Sequence, residues 1–295
     1  MRGLYSSRYL ALRSALDDHR ISSSAKNWDE RVGAAELVAR GAGFRALRAQ
    51  ILELAAPQPQ HVVVDIGSGT GLLALAFAPR CRRVWAIDSS RAMGEYLAVK
   101  AASGGLRNLE TVHASAENLP LVDALADIVV SNYCMHELPH DGKRRALEEF
   151  KRVLKPGGRL VIGDMMFTLN PLHVRDRTVV RDKLRAIAAR GLPGIWRVAK
   201  NAARLAAGRW ESPADADWWR GALAEAGFVG VEVEPLPHEG GLASAYAPPL
   251  GDQGSASSEE APGTVPNELS RASAEGRCLT YASRNAVVTR STIPS

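Results

Sequence analysis

The sequence predicts an α/β protein built on a doubly wound, seven-stranded, mostly parallel sheet, with a helical cover before the sheet and a helical insertion within it. Two observations carry this. Short apolar runs alternate with stretches of helical periodicity from residue 61 to 249, and repeated strand–helix order needs crossovers that lay helices on both faces of a parallel sheet. The composition agrees, since 46% hydrophobic and 23% charged residues over 295 positions suit a globular chain that builds its core without disulfides or metal.

Residues 1–60 read as a helical N-terminal cover. Asn27 or Asp29 suits an N-cap, and Val32, Leu37, Val38, Phe44, Leu47, Ile51 and Leu54 recur at helical spacing until Pro57 and Pro59 end the pattern. The main domain, 61–249, is then expected to place strands at 61–66, 83–88, 109–114, 126–131 and 159–164, with helices at 71–77, 92–101 and 143–154. After Asp164 the rhythm breaks. The interval 168–212 reads as a basic helical lid insertion, in which Val180, Leu184, Ile187 and Ala188 form an apolar stripe and Pro193-Gly194 divides two helices. A helix at 216–226 and strands at 229–235 and 242–247 complete the sheet. Residues 250–295 are dominated by Ser, Gly, Pro and Glu without apolar periodicity, so a disordered tail is expected there.

The net charge of +5 is unevenly spread. Between residues 172 and 210 ten basic residues face two acidic ones, so the rest of the chain is mildly acidic and a uniform nucleic-acid coat is disfavoured. The bland reading of this segment is a solvated helix face, and the sharper one a surface meeting an anionic acceptor or a membrane. No apolar run approaches the roughly 18 residues of a membrane span. Arg2, Arg8, Arg13 and Arg20 interrupt the first residues, so no signal-peptide core is expected and a cytoplasmic location is. Cys81, Cys134 and Cys278 are odd in number and lack metal-ligand spacing, which argues against a disulfide framework and against a metal site.

The strongest signal is Val62-Val63-Val64-Asp65-Ile66-Gly67-Ser68-Gly69-Thr70-Gly71, an apolar strand running into a G-x-G-x-G turn and then a helix. Glycine is needed where the chain turns with positive φ or where a Cβ would strike a ligand. A dinucleotide loop would read G-x-G-x-x-G, and Leu72 stands at its third glycine, so a nicotinamide or flavin is disfavoured. Asp88 ends the second strand, where an acid can accept both hydroxyls of a ribose. An adenosine site is the reading.

With the further blocks Ala86-Ile87-Asp88-Ser89, Ala114-Ser115-Ala116-Glu117-Asn118-Leu119-Pro120, Asp127-Ile128-Val129-Val130-Ser131-Asn132 and Leu154-Lys155-Pro156-Gly157-Gly158-Arg159-Leu160-Val161-Ile162, the chain resembles the class I S-adenosylmethionine-dependent methyltransferases. These are Rossmann-like enzymes, and the similarity is to their small-molecule branch, the type 11 or UbiE-like proteins. The resemblance is specific for the cofactor, S-adenosyl-L-methionine, and much less so for the acceptor. It implies a seven-stranded sheet with the last strand antiparallel. It further implies that Gly67, Gly69 and Gly71 line the methionine and ribose with Ser68 among them, and that Asp65 lies beneath the loop. Asp88 and Ser89 would hold the ribose side, Ala116 and Glu117 would border the adenine, and Asn132 would touch the methionine end. Where relatives often carry an acid or Asn against the adenine amino group this chain has Ser115, so backbone groups are expected to serve instead.

Methyl transfer from a sulfonium is an in-line displacement with a neutral leaving group, so alignment and exclusion of water supply much of the acceleration. An acceptor that loses a proton gains from a base past the end of strand four. His136 stands there, with an unperturbed pKa of about 6.5, as the candidate base; the alternative is a packing histidine. Tyr133 is the candidate to close over the sulfonium by a cation–π contact or to orient the acceptor, against a wall role. Asp164 ends strand five beside the same crevice. Trp196, Trp210, Trp218 and Trp219 either seal the lid or line an apolar pocket. The expectation is therefore a methyltransferase acting on a small-molecule acceptor, anionic or aromatic, with no DNA partner. An RNA methyltransferase docking through the basic insertion and a non-catalytic cofactor-binding protein stay open as alternatives.

Overall fold

The computed structural model describes residues 27–167, 177, 178, 181, 185, 212–237 and 239–249. The first 26 residues of the cover, nearly all of the 168–212 insertion and the 250–295 tail lie outside the described residues.

Seven strands form one sheet: β1 (Val62–Ile66), β2 (Arg83–Asp88), β3 (Leu109–His113), β4 (Ala126–Asn132), β5 (Leu154–Met165), β6 (Val229–Pro235) and β7 (Gly240–Tyr246). Their order is β3-β2-β1-β4-β5-β7-β6. β7 runs antiparallel to β5 and β6, and the other neighbouring pairs are parallel. The winding reverses between β1 and β4, and the crevice above the C-terminal ends of these strands is the switch point at which open α/β sheets bind ligands.

The described helices are α1 (Val32–Ala39), α2 (Ala42–Ala55), α3 (Ala74–Phe77), α4 (Arg91–Ser103), α5 (His140–Val153) and α6 (Ala216–Glu225). Along β1, Val62, Val64 and Ile66 join the core layer of Phe150 and Trp219, while Val63 joins the opposite layer of Ile51, Phe77 and Leu97. Both faces are dry, which is why these strands read as unbroken apolar runs instead of alternating. Side-chain caps start two helices: Ser90 accepts from Met93 N–H on α4 and Asp215 from Trp218 N–H on α6, each worth about 1 kcal/mol.

The cover departs from expectation. Asp29 does not cap the turn that follows it. Its carboxylate accepts from Ser90 Oγ at 2.5 Å and from Ala92 N–H at 3.1 Å, so it sits at the N-terminus of α4, where the helix dipole favours negative charge. The hydrogen bond from Ser90 and that from Ala92 hold its carboxyl below the usual range. Leu37 and Val38 face solvent, 74% and 51% exposed. What fastens α1 is polar: Glu36 accepts from Lys100 Nζ at 2.9 Å, and the same ammonium reaches Thr70 O at 2.8 Å. The buried stripe of the cover begins at Leu47 and Ile51 on α2. Farther along, α5 starts at His140 and gives way to β5 at Leu154, because Pro156 disfavours helix at the residue before it.

Close packing beneath the loop yields a stability prediction. Gly71 has φ +92°, and a Cβ there would lie 2.3 Å from Leu97 Cδ1 and 3.1 Å from Leu75 Cδ1. Gly71→Ala is expected to cost about 2 kcal/mol through the left-handed backbone and overpacking, read by denaturant unfolding; an unchanged midpoint would contradict this packing.

Candidate active site at the β1–β4 switch point

Above β1 the chain turns through Gly67, Gly69 and Gly71, all with positive φ. They do different work. A Cβ on Gly67 would fall 2.3 Å from Cys134 Sγ, so this residue lets the loop lie against the exit of β4, whereas a Cβ on Gly69 would meet nothing within 4 Å. Gly69 therefore forms the open side of the turn. Two carboxylates hold the loop in place. Asp65 is buried and accepts Ala74 N–H at 2.9 Å; burial pushes its pKa up to about 7 against that hydrogen bond, with the charge of Asp88 adding to the rise. Asp88 accepts Gly69 N–H at 2.7 Å on one oxygen and Ser90 N–H at 2.8 Å on the other, and burial raises its pKa too. Ser68 donates its N–H to Ile87 O at 3.0 Å, while its buried Oγ has no partner.

The neighbouring strand ends supply the walls. The Ser89 carbonyl meets His113 Nε2 at 3.0 Å. After β3, Glu117 donates its N–H to Ser115 Oγ at 3.2 Å, and its carboxylate pairs with Arg145 of α5 at 2.5 Å; Ala116 beside it is partly buried. At the end of β4 the Asn132 Oδ1 is buried without a partner. Tyr133 follows with φ +50°, its N–H donating to Gly163 O at 2.8 Å. Its ring packs on Phe44 of α2 at 4.7 Å and edge-on to His136 at 6.0 Å. Burial raises its phenol well above the ordinary value, with Glu239 and Asp164 adding.

His136 is buried, with Nδ1 2.6 Å from Asp164 Oδ1 and Nε2 3.4 Å from Glu137 Oε1. Its backbone N–H also donates to Asp164, at 2.8 Å. Burial alone would lower the imidazole pKa, but the Asp164 charge and hydrogen bond, with Glu137, outweigh it and raise the value to about 10. The structure thus places His136, the candidate base, in a buried ionic cluster with Asp164 and Glu137.

Lys143 of α5, 0% exposed, is the residue that sequence reasoning missed beside this cluster. Its Nζ donates to Leu138 O and to Ser212 O at 2.6 Å, and Ser212 N–H donates to His136 O at 2.8 Å. Burial lowers its pKa to about 8, with the Asp164 charge opposing. A signal existed: Lys143 stands on the apolar stripe of α5, one turn before Ala146 and Leu147 and two before Phe150. Of the tryptophans, Trp219 is fully buried in the core with Trp218 edge-on at 5.1 Å; Trp196 and Trp210 lie outside the described residues. Among the described residues no cluster of His, Cys, Asp or Glu could hold a metal ion.

All the expected cofactor residues thus gather at the C-terminal ends of β1, β2, β3 and β4. The unpaired Ser68 Oγ and Asn132 Oδ1, the open side of Gly69 and the Asp88 carboxylate suit an adenosyl ligand that brings hydroxyls and an amino-acid group. The His136 cluster carries a pH prediction. A folded-state pKa raised above the ordinary value means its stabilisation is full below about pH 6.5 and is lost as pH rises through about 10. Ring-nitrogen NMR is expected to find imidazolium at neutral pH, and the excess thermal stability of wild type over Asp164→Asn should fade on that alkaline limb; a ring neutral at pH 7 would contradict the geometry.

Comparison with known proteins finds methyltransferases. Residues 63–158 match the family model described as a methyltransferase domain. Over 114 residues the chain is 33% identical to the uncharacterized methyltransferase YcgJ of Bacillus subtilis, covering 39% of this chain and 44% of that protein. Over 118 residues it is 37% identical to the ubiquinone/menaquinone biosynthesis C-methyltransferase UbiE of Bordetella avium, covering 39% and 45%. The chain thus spans less than half the length of these two relatives. Among solved structures, a geranyl diphosphate methyltransferase has the same fold, with a TM-score of 0.51 at 16% identity over 68% of this chain and 77% of that one. The glycine loop, the acid at the end of β2 and the strand order, taken with these likenesses, make residues 63–158 a methyltransferase-like domain similar to those of class I S-adenosylmethionine-dependent enzymes.

Proposed function

We propose that the protein transfers a methyl group from S-adenosyl-L-methionine to a small-molecule acceptor by in-line displacement. The observation that carries the reading is the clamped loop: Gly69 N–H held on Asp88 with open space over Gly69, and Ser68 Oγ unpaired beside it. Asp88 retains lone pairs for the ribose hydroxyls, and Ser89 stands next to it. Ala116 and Glu117 border the adenine, with Glu117 fixed by Arg145. Asn132 faces the methionine end. When bound, the cofactor supplies a methyl group on a cationic sulfur that departs as a neutral thioether, so no protein nucleophile is required.

Tyr133 is the residue best held to wall the reacting atoms, since its strained backbone and the Phe44 ring fix it; its raised phenol pKa keeps the ring neutral. His136, held as a cation between two carboxylates, positions the loop after β4 and does not take the acceptor's proton. This favours an acceptor that is ionised before it reacts, such as a phenol or an enol, in line with an anionic or aromatic substrate. RNA docking through the insertion rests on residues outside those described, and neither it nor the non-catalytic reading gains support from relatives that are themselves named as methyltransferases. No helix among the described residues is long and apolar enough to cross a membrane, and the cytoplasm is the compartment proposed.

The test is calorimetry on the full chain with S-adenosylhomocysteine. Wild type is expected to bind, and Asp88→Asn, which keeps one acceptor for the loop amides, to bind at least tenfold more weakly, about 1.4 kcal/mol, while still melting cooperatively. Equal affinity in the two proteins would contradict the ribose role of Asp88.

A further inference from the structure

We propose that residues 5–16 of this chain pack as an amphipathic helix on the outward face of α1, making the N-terminal cover two helices deep. The segment lies outside the described residues; the face that calls for it does not.

α1 is apolar nearly all round. In Val32–Ala39 the one polar side chain is Glu36, and it turns to Lys100 Nζ on α4. Val32, Ala35, Glu36 and Ala39 make the half-buried side, whereas Gly33, Ala34, Leu37 and Val38 face out, Leu37 at 74% and Val38 at 51% exposure. No charge or hydroxyl breaks that outward face. A helix without a polar stripe is normally enclosed, and one of 8 residues cannot persist on its own propensity. Yet α1 contributes no buried residue, and among the described residues a Cβ on Gly33 would meet nothing within 4 Å. The small side chains of Gly33 and Ala34 leave room there for larger ones from a second helix.

The sequence supplies that helix. Tyr5, Tyr9, Leu12 and Leu16 recur at steps of four, three and four residues, which sets them on one side of a helix and Ser7, Ser14 and Asp18 on the other. Their stripe would run about 16 Å and α1 runs about 12 Å, so the two match in length. Residues 17–31, with Ser22-Ser23-Ser24 among them, join the stripe to α1. At about 3.3 Å per extended residue this connection exceeds the length of α1 several times over, so the segment can double back along it. Size decides against other occupants. A face of about 12 Å by 10 Å is far below the roughly 800 Å² per partner of a stable dimer, whereas a tethered segment meets it at high effective concentration and needs no such area.

The test is amide hydrogen exchange read by mass spectrometry on the full chain without added ligand. Wild type is expected to protect residues 5–16 at least tenfold relative to the same residues as a free peptide. Leu37→Gln with Val38→Gln should remove that protection, and Leu12→Gln with Leu16→Gln should speed exchange across residues 32–39 to a similar degree. Cooperative melting should survive the first pair, since both side chains are exposed on α1. Free exchange of 5–16 in wild type, or protection there that ignores the α1 substitutions, would overturn the inference. Protection of residues 32–39 that rises with protein concentration, as a second copy requires, or that depends on phosphatidylglycerol vesicles, as a membrane surface requires, would overturn it as well.

Discussion

Two carboxylates, Asp65 buried and Asp88 half-buried, grip opposite ends of one glycine turn, Asp65 through Ala74 N–H and Asp88 through Gly69 N–H, and the geometry of the crevice follows from that grip. Neither acid is comfortable, since burial raises the pKa of both. The strain is localised where strand order reverses and the sheet opens to a ligand. Each acid is stabilised by backbone N–H groups that would otherwise be orphaned at the turn, so loop and acids hold each other in place. A ligand with hydroxyl groups meets a turn already set, with little left to order on binding.

The same economy of charge appears on the far wall. His136, Asp164, Glu137 and Lys143 bring two cations and two carboxylates into the interior, where an isolated charge would cost several kcal/mol. Together they tie the exit of β4 to the end of β5, and through Ser212 to the point where the chain returns from the insertion. The consequence for chemistry is restrictive. On the reading proposed above, the histidine serves as an ionic strut, which shifts the demand for a reactive form onto the acceptor itself.

The sheet was largely legible because its signals are local: continuous apolar runs, glycine turns, and proline soon after three of the helical stretches, at Pro57, Pro79 and Pro156. Strand ends moved by a residue or two, and the start of β5 by five, where pairing partners, invisible in one strand's own sequence, set the limits, as with β7 beginning at Gly240 opposite Met165. The glycine spacing announced the turn but not the division of labour within it, because only packing shows that Gly67 yields to Cys134 and Gly71 to Leu97. Asp29 and Leu37 misled for related reasons. A capping residue can serve a helix distant in sequence, and an apolar spacing does not say which side of a short helix is left uncovered. His136 was found by type and position, yet its protonation depends on Asp164, 28 residues away, and no local pattern encodes that pairing.

The central claim is that the turn above β1 cradles an adenosyl sulfonium with its sugar on Asp88. A crystal structure of the full chain grown with S-adenosylhomocysteine tests it most directly. The account predicts the nucleoside lying across Gly69, both ribose hydroxyls within hydrogen-bond reach of the Asp88 carboxylate, and the sulfur facing the Asn132–Tyr133 edge of β4. Product bound elsewhere, or in this crevice with its sugar away from Asp88, would contradict it.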